Sequence, residues 1–256
     1  MSDAMLITFP PSLDSELSRF LLTHYRIPHQ EQRHVIIFSS LYSLWHGYTV
    51  RFPFLYSDSY RLNTVRKIFE HFEPLSPDER KLLPPGADAA KAEDDWTLFN
   101  SRLGTATSVF GYYHLLPHRQ LMVHALSGGA PSFEVSAVRG AYPVFAGLLR
   151  LLLRLEGGRA QEALAEIRAV MRIVDERLGD GRQYLLGERF SLSDMAFAVA
   201  AAPVLFPDNY GDGDTLPPLS ESPPEIQNLV EELRRKPSGQ LALRIYRERR
   251  TPGSQS

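Results

Sequence analysis

The alternation of apolar and polar positions changes character once along this chain. In the first part, Leu6 to Phe9 is a short apolar run closed by Pro10 and Pro11, a strand signal. Leu13, Leu17, Phe20 and Leu21 then fall at helical spacing and predict a helix running to about Tyr25. Val35 to Phe38 is β-branched and wholly apolar, which predicts a buried parallel strand. Phe54 to Tyr56, a Ser57-Asp58 turn and Tyr60 to Leu62 predict a compact hairpin. Val65, Ile68, Phe69 and Phe72 mark the next helix. The order βα-β-ββα implies a mixed four-stranded sheet with helices, assigned to residues 1–75.

Pro74, Pro77, Pro84 and Pro85 punctuate a polar stretch that predicts a linker around a short helical turn, residues 76–93. From 94 to 256 every periodic segment is helical. Asp95 to Leu116 is one long segment ended or kinked by Pro117. Gln120 to Leu126 comes next, then Val135 to Leu155, closed by Gly157-Gly158. In the segment from Ala160 to Leu178, Leu164, Ile167, Met171, Val174 and Leu178 share one face. A buried helix runs from Met195, and a last one from Glu225 to Arg235.

Composition narrows the chemistry. A net charge of -2 gives no reason to expect a nucleic-acid or membrane partner. The longest apolar run, Ala196 to Phe206, is too short to span a bilayer, and the first residues show no charged-then-apolar signal, so a cytoplasmic location is expected. The basic stretch Arg244 to Arg250, interrupted by Glu248, reads as a solvated end. There is no cysteine, which excludes disulfides, thiolate metal sites and a cysteine nucleophile. His114 and His118 lie four apart with Pro117 between them and no carboxylate to complete a set, so no metal is expected.

One local motif is more specific. Ser191 and Asp194, three apart before the apolar run Met195 to Phe206, form a capping box: hydroxyl to the N3 amide, carboxylate back to the N-cap amide. Its setting is Tyr184-Leu-Leu-Gly-Glu-Arg-Phe-Ser-Leu-Ser-Asp194, opening an Ala-rich helix. This segment resembles the C-terminal domain of the glutathione transferase superfamily. The resemblance implies a thioredoxin-like N-terminal domain with a mixed four-stranded sheet followed by an all-helical domain, in agreement with the element order.

The resemblance also implies a site. Glutathione would lie along the N-terminal domain, its backbone paired with Phe52 ahead of a cis Pro53. Asn63 and Thr64, opening the helix after the hairpin, would hold the γ-glutamyl carboxylate at free N–H donors; Thr64 also suits a plain N-cap. The free thiol, with a pKa near 8.5, needs roughly 2.7 kcal/mol of preferential stabilisation to fall by about two units. One hydroxyl donated to an anion is worth about 1.5–3 kcal/mol. The family's tyrosine position falls on Thr8, and its serine position on Ser12, which is therefore the candidate activating residue and equally a helix N-cap. Pro10, Phe110 and Tyr113 would wall the second-substrate pocket; His46 and Arg51 are available to the glycyl carboxylate. In sum, the resemblance implies a homodimeric detoxifying transferase using glutathione as co-substrate against an apolar electrophile. The alternatives are a non-catalytic ligand-binding or protein-interaction module, or a glutathione-dependent lyase or isomerase.

Overall fold

The computed structural model describes residues 4–47 and 49–250. β1 (Ala4–Thr8), α1 (Leu13–Tyr25), β2 (His29–Arg33), α2 (Ile36–Gly47), β3 (Phe54–Tyr56), β4 (Arg61–Leu62) and α3 (Val65–Phe72) form the first half. The sheet order is β2-β1-β3-β4, with β1 parallel to β2 and antiparallel to β3, and β3 antiparallel to β4. This is the mixed four-stranded sheet expected. Leu6, Ile7, Phe54 and Leu55 are fully buried in its centre, and Phe20 and Leu21 of α1 with Ile68 of α3 cover it.

One strand is displaced from the expectation. Val35 to Phe38 is not a strand: it turns into the start of α2, where the Ser39 hydroxyl donates to the carbonyls of His34 and Thr8. The strand beside β1 is the polar segment His29–Arg33. It lies at the sheet edge, where one flank needs no apolar partner, and its Glu31 and Arg33 are satisfied by charge pairs rather than by burial among hydrocarbons.

The second half is helical throughout its regular elements: α4 (Ala87–Thr97), α5 (Gly104–Leu115), α6 (Arg119–Ser127), α7 (Ser132–Gly140), α8 (Tyr142–Leu153), α9 (Gly157–Leu178), α10 (Leu192–Ala201), α11 (Pro224–Arg234) and α12 (Pro237–Arg249). A π-helical stretch, Leu98–Leu103, joins α4 to α5. Asp78–Arg80 is the short turn expected in the linker, but α4 already begins inside the stretch 76–93. The segment Val135 to Leu155 divides at Ala141 into two helices, with Pro143 in the first turn of the second. Gly157 opens α9 instead of closing the helix before it.

α10 is the axis of this half. Every residue from Leu192 to Ala201 is buried, and the helix packs on α4, α5, α12 and α1, so it also touches the first half. Its capping box is formed as read: the Asp194 carboxylate accepts from the Ser191 amide at 2.9 Å and from the Leu185 amide at 2.8 Å.

Candidate functional site

The sheet register brings the expected N-terminal residues to one end of the molecule. β1 and β3 pair Ile7 with Phe54, so two steps outward the same register sets Phe9 opposite Phe52, and their rings meet edge to face at 5.8 Å. β3 and β4 pair Leu55 with Leu62, which sets Asn63 and Thr64 beside Phe54 and Pro53. Ser12 comes one turn after Phe9, its amide donating to the Phe9 carbonyl at 3.1 Å. The Phe52–Pro53 bond is cis, as the resemblance implies. Thr49 ties the two loops together: its hydroxyl oxygen accepts from the Arg51 amide at 3.2 Å and from Asn63 Nδ2 at 3.4 Å.

Two helix N-termini open onto this end. Ser12 caps α1 with extended backbone, its Oγ accepting from the Ser15 amide at 3.4 Å. Thr64 caps α3 in the same way, Oγ1 accepting from the Lys67 amide at 3.2 Å. Each hydroxyl thereby uses a lone pair and keeps its proton free to donate outward. Both residues are half-buried, shielded on one side and reachable from the other. At N3 of α3, where a capping box would carry a carboxylate, stands Lys67, with Nζ 3.1 Å from Asn63 Oδ1. A cation at the positive end of a helix is favourable only when an anion joins it. Lys67 is absent from the residues expected at the site, although the spacing Thr64-x-x-Lys67 is itself a readable signal.

Thr8, at the end of β1, is withdrawn from chemistry. It is fully buried, its hydroxyl donating to Glu31 Oε1 at 2.5 Å and accepting from Arg19. These atoms belong to a buried charge cluster: Glu16, Glu31 and Asp212 against Arg19, Arg33 and Arg250. Burial alone would raise the Glu31 carboxyl, but the Arg19 and Arg33 guanidiniums and the hydrogen bonds from Arg19 and Thr8 hold it at about 2. The cluster corrects the reading of the basic tail, since Arg250 is 2 % exposed and reaches Glu16 Oε1 at 3.0 Å. It clamps the last turn of α12 and the 210–214 loop onto α1. Tyr210 of that loop donates to the Pro11 carbonyl at 3.2 Å and so fixes the turn before Ser12.

A second clamp comes from α7. Glu134, fully buried, accepts from the Val35 amide at 2.8 Å and pairs with His34 Nδ1 at 2.6 Å, holding α7 against the junction of β2 and α2. Nothing local in the sequence pairs residues a hundred apart.

The proposed second-substrate residues are not brought together. Phe110 and Tyr113 line a cavity of about 380 Å³ with Leu164 of α9 and Leu229 of α11, and Pro10 is not among its lining residues. Pro10 is buried in the turn after β1. The part of α5 that approaches the Ser12 turn is Gly104, where a Cβ would stand 3.1 Å from Leu13. Phe110 lies six residues, about 9 Å, further along the helix. Helical spacing correctly put Phe110 and Tyr113 on one face and could not say which cleft that face meets. Among the described residues no cluster of three or more His, Cys, Asp or Glu could hold a metal.

Comparison with known proteins agrees with this architecture. Residues 157–228 match the family model described as glutathione S-transferase, C-terminal domain. A search of curated proteins gave no match. Among solved structures, FzlA from C. crescentus superposes with a TM-score of 0.54 at 21% identity, covering 94% of this chain and 92% of that one. A glutathione S-transferase from Methylobacterium radiotolerans, solved in complex with glutathione sulfonate, gives 0.52 at 18%, covering 94% and 95%. The chain has the glutathione S-transferase fold. The beta-etherase LigF from Sphingobium shares it as well, with a TM-score of 0.58 at 15% identity over 94% of this chain and 98% of that one. Ser12, Phe52, Pro53, Asn63 and Thr64 gather at one end of the sheet, beside the N-termini of α1 and α3.

Proposed function

We propose that this chain binds reduced glutathione at the sheet end formed by Ser12, Phe52, Pro53, Asn63 and Thr64, and activates its thiol for attack on an apolar electrophile. The observation that carries the reading is the open N-terminus of α3, where Thr64 keeps a free hydroxyl proton and Lys67 replaces the carboxylate of a capping box. An incoming γ-glutamyl carboxylate supplies the missing anion, meeting the Thr64 hydroxyl, the first amides of the helix and the Lys67 charge. Phe52, ahead of the cis bond, offers its backbone to the cysteinyl part of the tripeptide. The M. radiotolerans relative, solved with glutathione sulfonate, supports the choice of ligand.

Thiol activation then falls to Ser12. With Thr8 consumed by Glu31 and Arg19, and no cysteine in the chain, Ser12 is the hydroxyl at the N-terminus of α1 with a proton to give. A donated hydrogen bond plus the helix dipole accounts for a lowering of one to two pH units in the bound thiol, at about 1.5–3 kcal/mol. Attack by the thiolate forms a carbon–sulfur bond and expels the electrophile's leaving group or opens its ring. The homodimer that the family resemblance implies belongs to the same reading and is checked by light scattering. The test is the ultraviolet absorbance of the glutathione thiolate in the complex, titrated with pH. The curve of the wild type should lie one to two units below that of free glutathione. Saturable binding with an unshifted thiol would assign the protein to ligand binding without catalysis.

A further inference from the structure

Two helices outside the candidate site carry the same outward row of apolar side chains. On α2 it is Ile37, Leu41, Leu44 and Trp45; on α8 it is Val144, the half-buried Leu148, Leu151 and Leu152, both at i, i+4, i+7 and i+8. This spacing normally marks the face a helix turns to the core. Here it faces outward: Trp45 is 84 % exposed, Leu151 75 % and Val144 69 %. Phe133 of α7 is more than half exposed, and its ring packs edge-on at 5.5 Å against Phe38 of α2. α7 and α8 meet at 82°.

Charge is distributed as unevenly as apolar surface. Residues 117–155 contain four arginines, Arg119, Arg139, Arg150 and Arg154, all exposed, and a single carboxylate, Glu134, which is buried against His34. Residues 34–53, which include α2, contain no Asp or Glu. The overall charge of -2 conceals this local excess of cations.

We propose that α2 and the α7–α8 arm form a surface that lies on an anionic lipid bilayer, the apolar rows entering the interfacial layer and the arginines meeting lipid phosphates. Exposed Trp, Phe and Leu beside arginines that outnumber the nearby carboxylates, Asp214 in the groove with Arg119 and Arg139 and Glu156 just past α8, are the chemistry of interfacial helices. No single helix among the described residues is long and apolar enough to cross a membrane; α7 and α8 reach that length and composition only as a pair bent by 82°. Tyr142, Phe145 and Leu149 of α8 are buried in the protein, which leaves the outer rows for a peripheral contact. A second copy suits the face less well, because a two-fold contact would set its arginines against one another.

The test is sedimentation of the full chain with vesicles of 30 mol% phosphatidylglycerol in phosphatidylcholine, read together with tryptophan emission. Of the two tryptophans, Trp96 is half-buried beside Phe69 and gives a constant background, whereas Trp45 should shift to shorter wavelength on insertion. Binding should be absent with pure phosphatidylcholine and weakened by raised salt. Replacing Leu151 and Leu152 together by Ser should weaken it at least tenfold, and Arg139→Gln and Arg150→Gln about fivefold each, with melting temperature unchanged. Failure of the wild type to sediment with anionic vesicles overturns the proposal. So does binding indifferent to these substitutions, or a concentration-dependent dimer that the same substitutions abolish, which would give the face to a second copy.

Discussion

The helix N-termini of α10 and α3 start from nearly the same local instruction and end in opposite states. In α10, Ser191 at N-cap and Asp194 at N3 close the box: the carboxylate takes the amides of Ser191 and Leu185 and the Ser191 hydroxyl, in full burial. In α3, Thr64 caps alike, but N3 is Lys67, and the end is half-buried at the edge of the sheet. One N-terminus contains its own anion and the other lacks one. The difference separates a motif that holds a core together from one left open at the surface, where the proposed ligand would bind.

The largest expected effect lies on the closed side. Asp194→Ala leaves the Leu185 and Ser191 amides buried without an acceptor, and should cost about 3 kcal/mol of stability, lowering Tm by about 6–12 °C. A loss below about 1 kcal/mol in calorimetry would mean that the box is ornamental and that the contrast with α3 fails.

The pH dependence sharpens the same contrast. Burial pushes the Asp194 carboxyl up to about 6 from an ordinary 3.8, against the pull of its hydrogen-bond donors. Because the folded value is the higher one, the folded state holds the proton more tightly, and stability tied to this group is full below pH 3.8 and declines as pH rises through 6. Glu31, compensated by arginines, has the opposite sign. Held at about 2 against 4.5, it contributes fully above pH 4.5 and loses that contribution as pH falls towards 2. Denaturant unfolding of Asp194→Asn should show a smaller fall in stability between about pH 4 and pH 7, by up to about 3 kcal/mol. Glu31→Gln should flatten the acid limb by a similar amount. Parallel pH profiles for wild type and both variants would refute the opposed electrostatics of the two carboxylates.

These carboxylates also mark where the sequence is readable. Ser191 and Asp194 are three apart, so the chain alone specifies their geometry, and the same holds for the Phe54–Leu62 hairpin and for Thr64 before Val65. Glu31 and Arg33 look like loop residues because the partners that satisfy them, Arg19, Asp212 and the neighbouring cluster, come from α1 and a loop some 180 positions away. For that reason β2 is not recognisable locally, its apolar neighbour Val35–Phe38 looks more like a strand than it does, and Arg250 looks solvated. The candidate site is legible as far as register and helix starts define it: Ser12, Phe52, Pro53, Asn63 and Thr64 share one sheet end. Phe110 and Tyr113 depend on how α5 meets α9 and α11, a packing choice the periodicity leaves open.

On the open side the expected effects are smaller in stability and larger in binding. Thr64→Ala should weaken glutathione by roughly tenfold to a hundredfold, for about 1.5–3 kcal/mol of charged hydrogen bond, while costing about 1 kcal/mol of stability; Thr64→Ser should retain most of both. Ser12→Gly, which caps nearly as well as serine but has no hydroxyl, should raise the bound thiol's pKa by about one to two units with little change in Tm. Superimposable thiolate titrations would remove Ser12 from the chemistry.

The most direct test converts the open terminus into the closed one. Lys67→Glu creates a Thr-x-x-Glu capping box on α3 and should stabilise the fold by about 0.5–1 kcal/mol. The new carboxylate would occupy the place proposed for the γ-glutamyl group. Calorimetric titration with reduced glutathione should therefore give a saturable isotherm for the wild type and none for Lys67→Glu up to several millimolar, in a variant that melts no lower. A wild type that releases no heat with millimolar glutathione, or a Lys67→Glu variant that binds as well as the wild type, would contradict the assignment of this helix end as the carboxylate site.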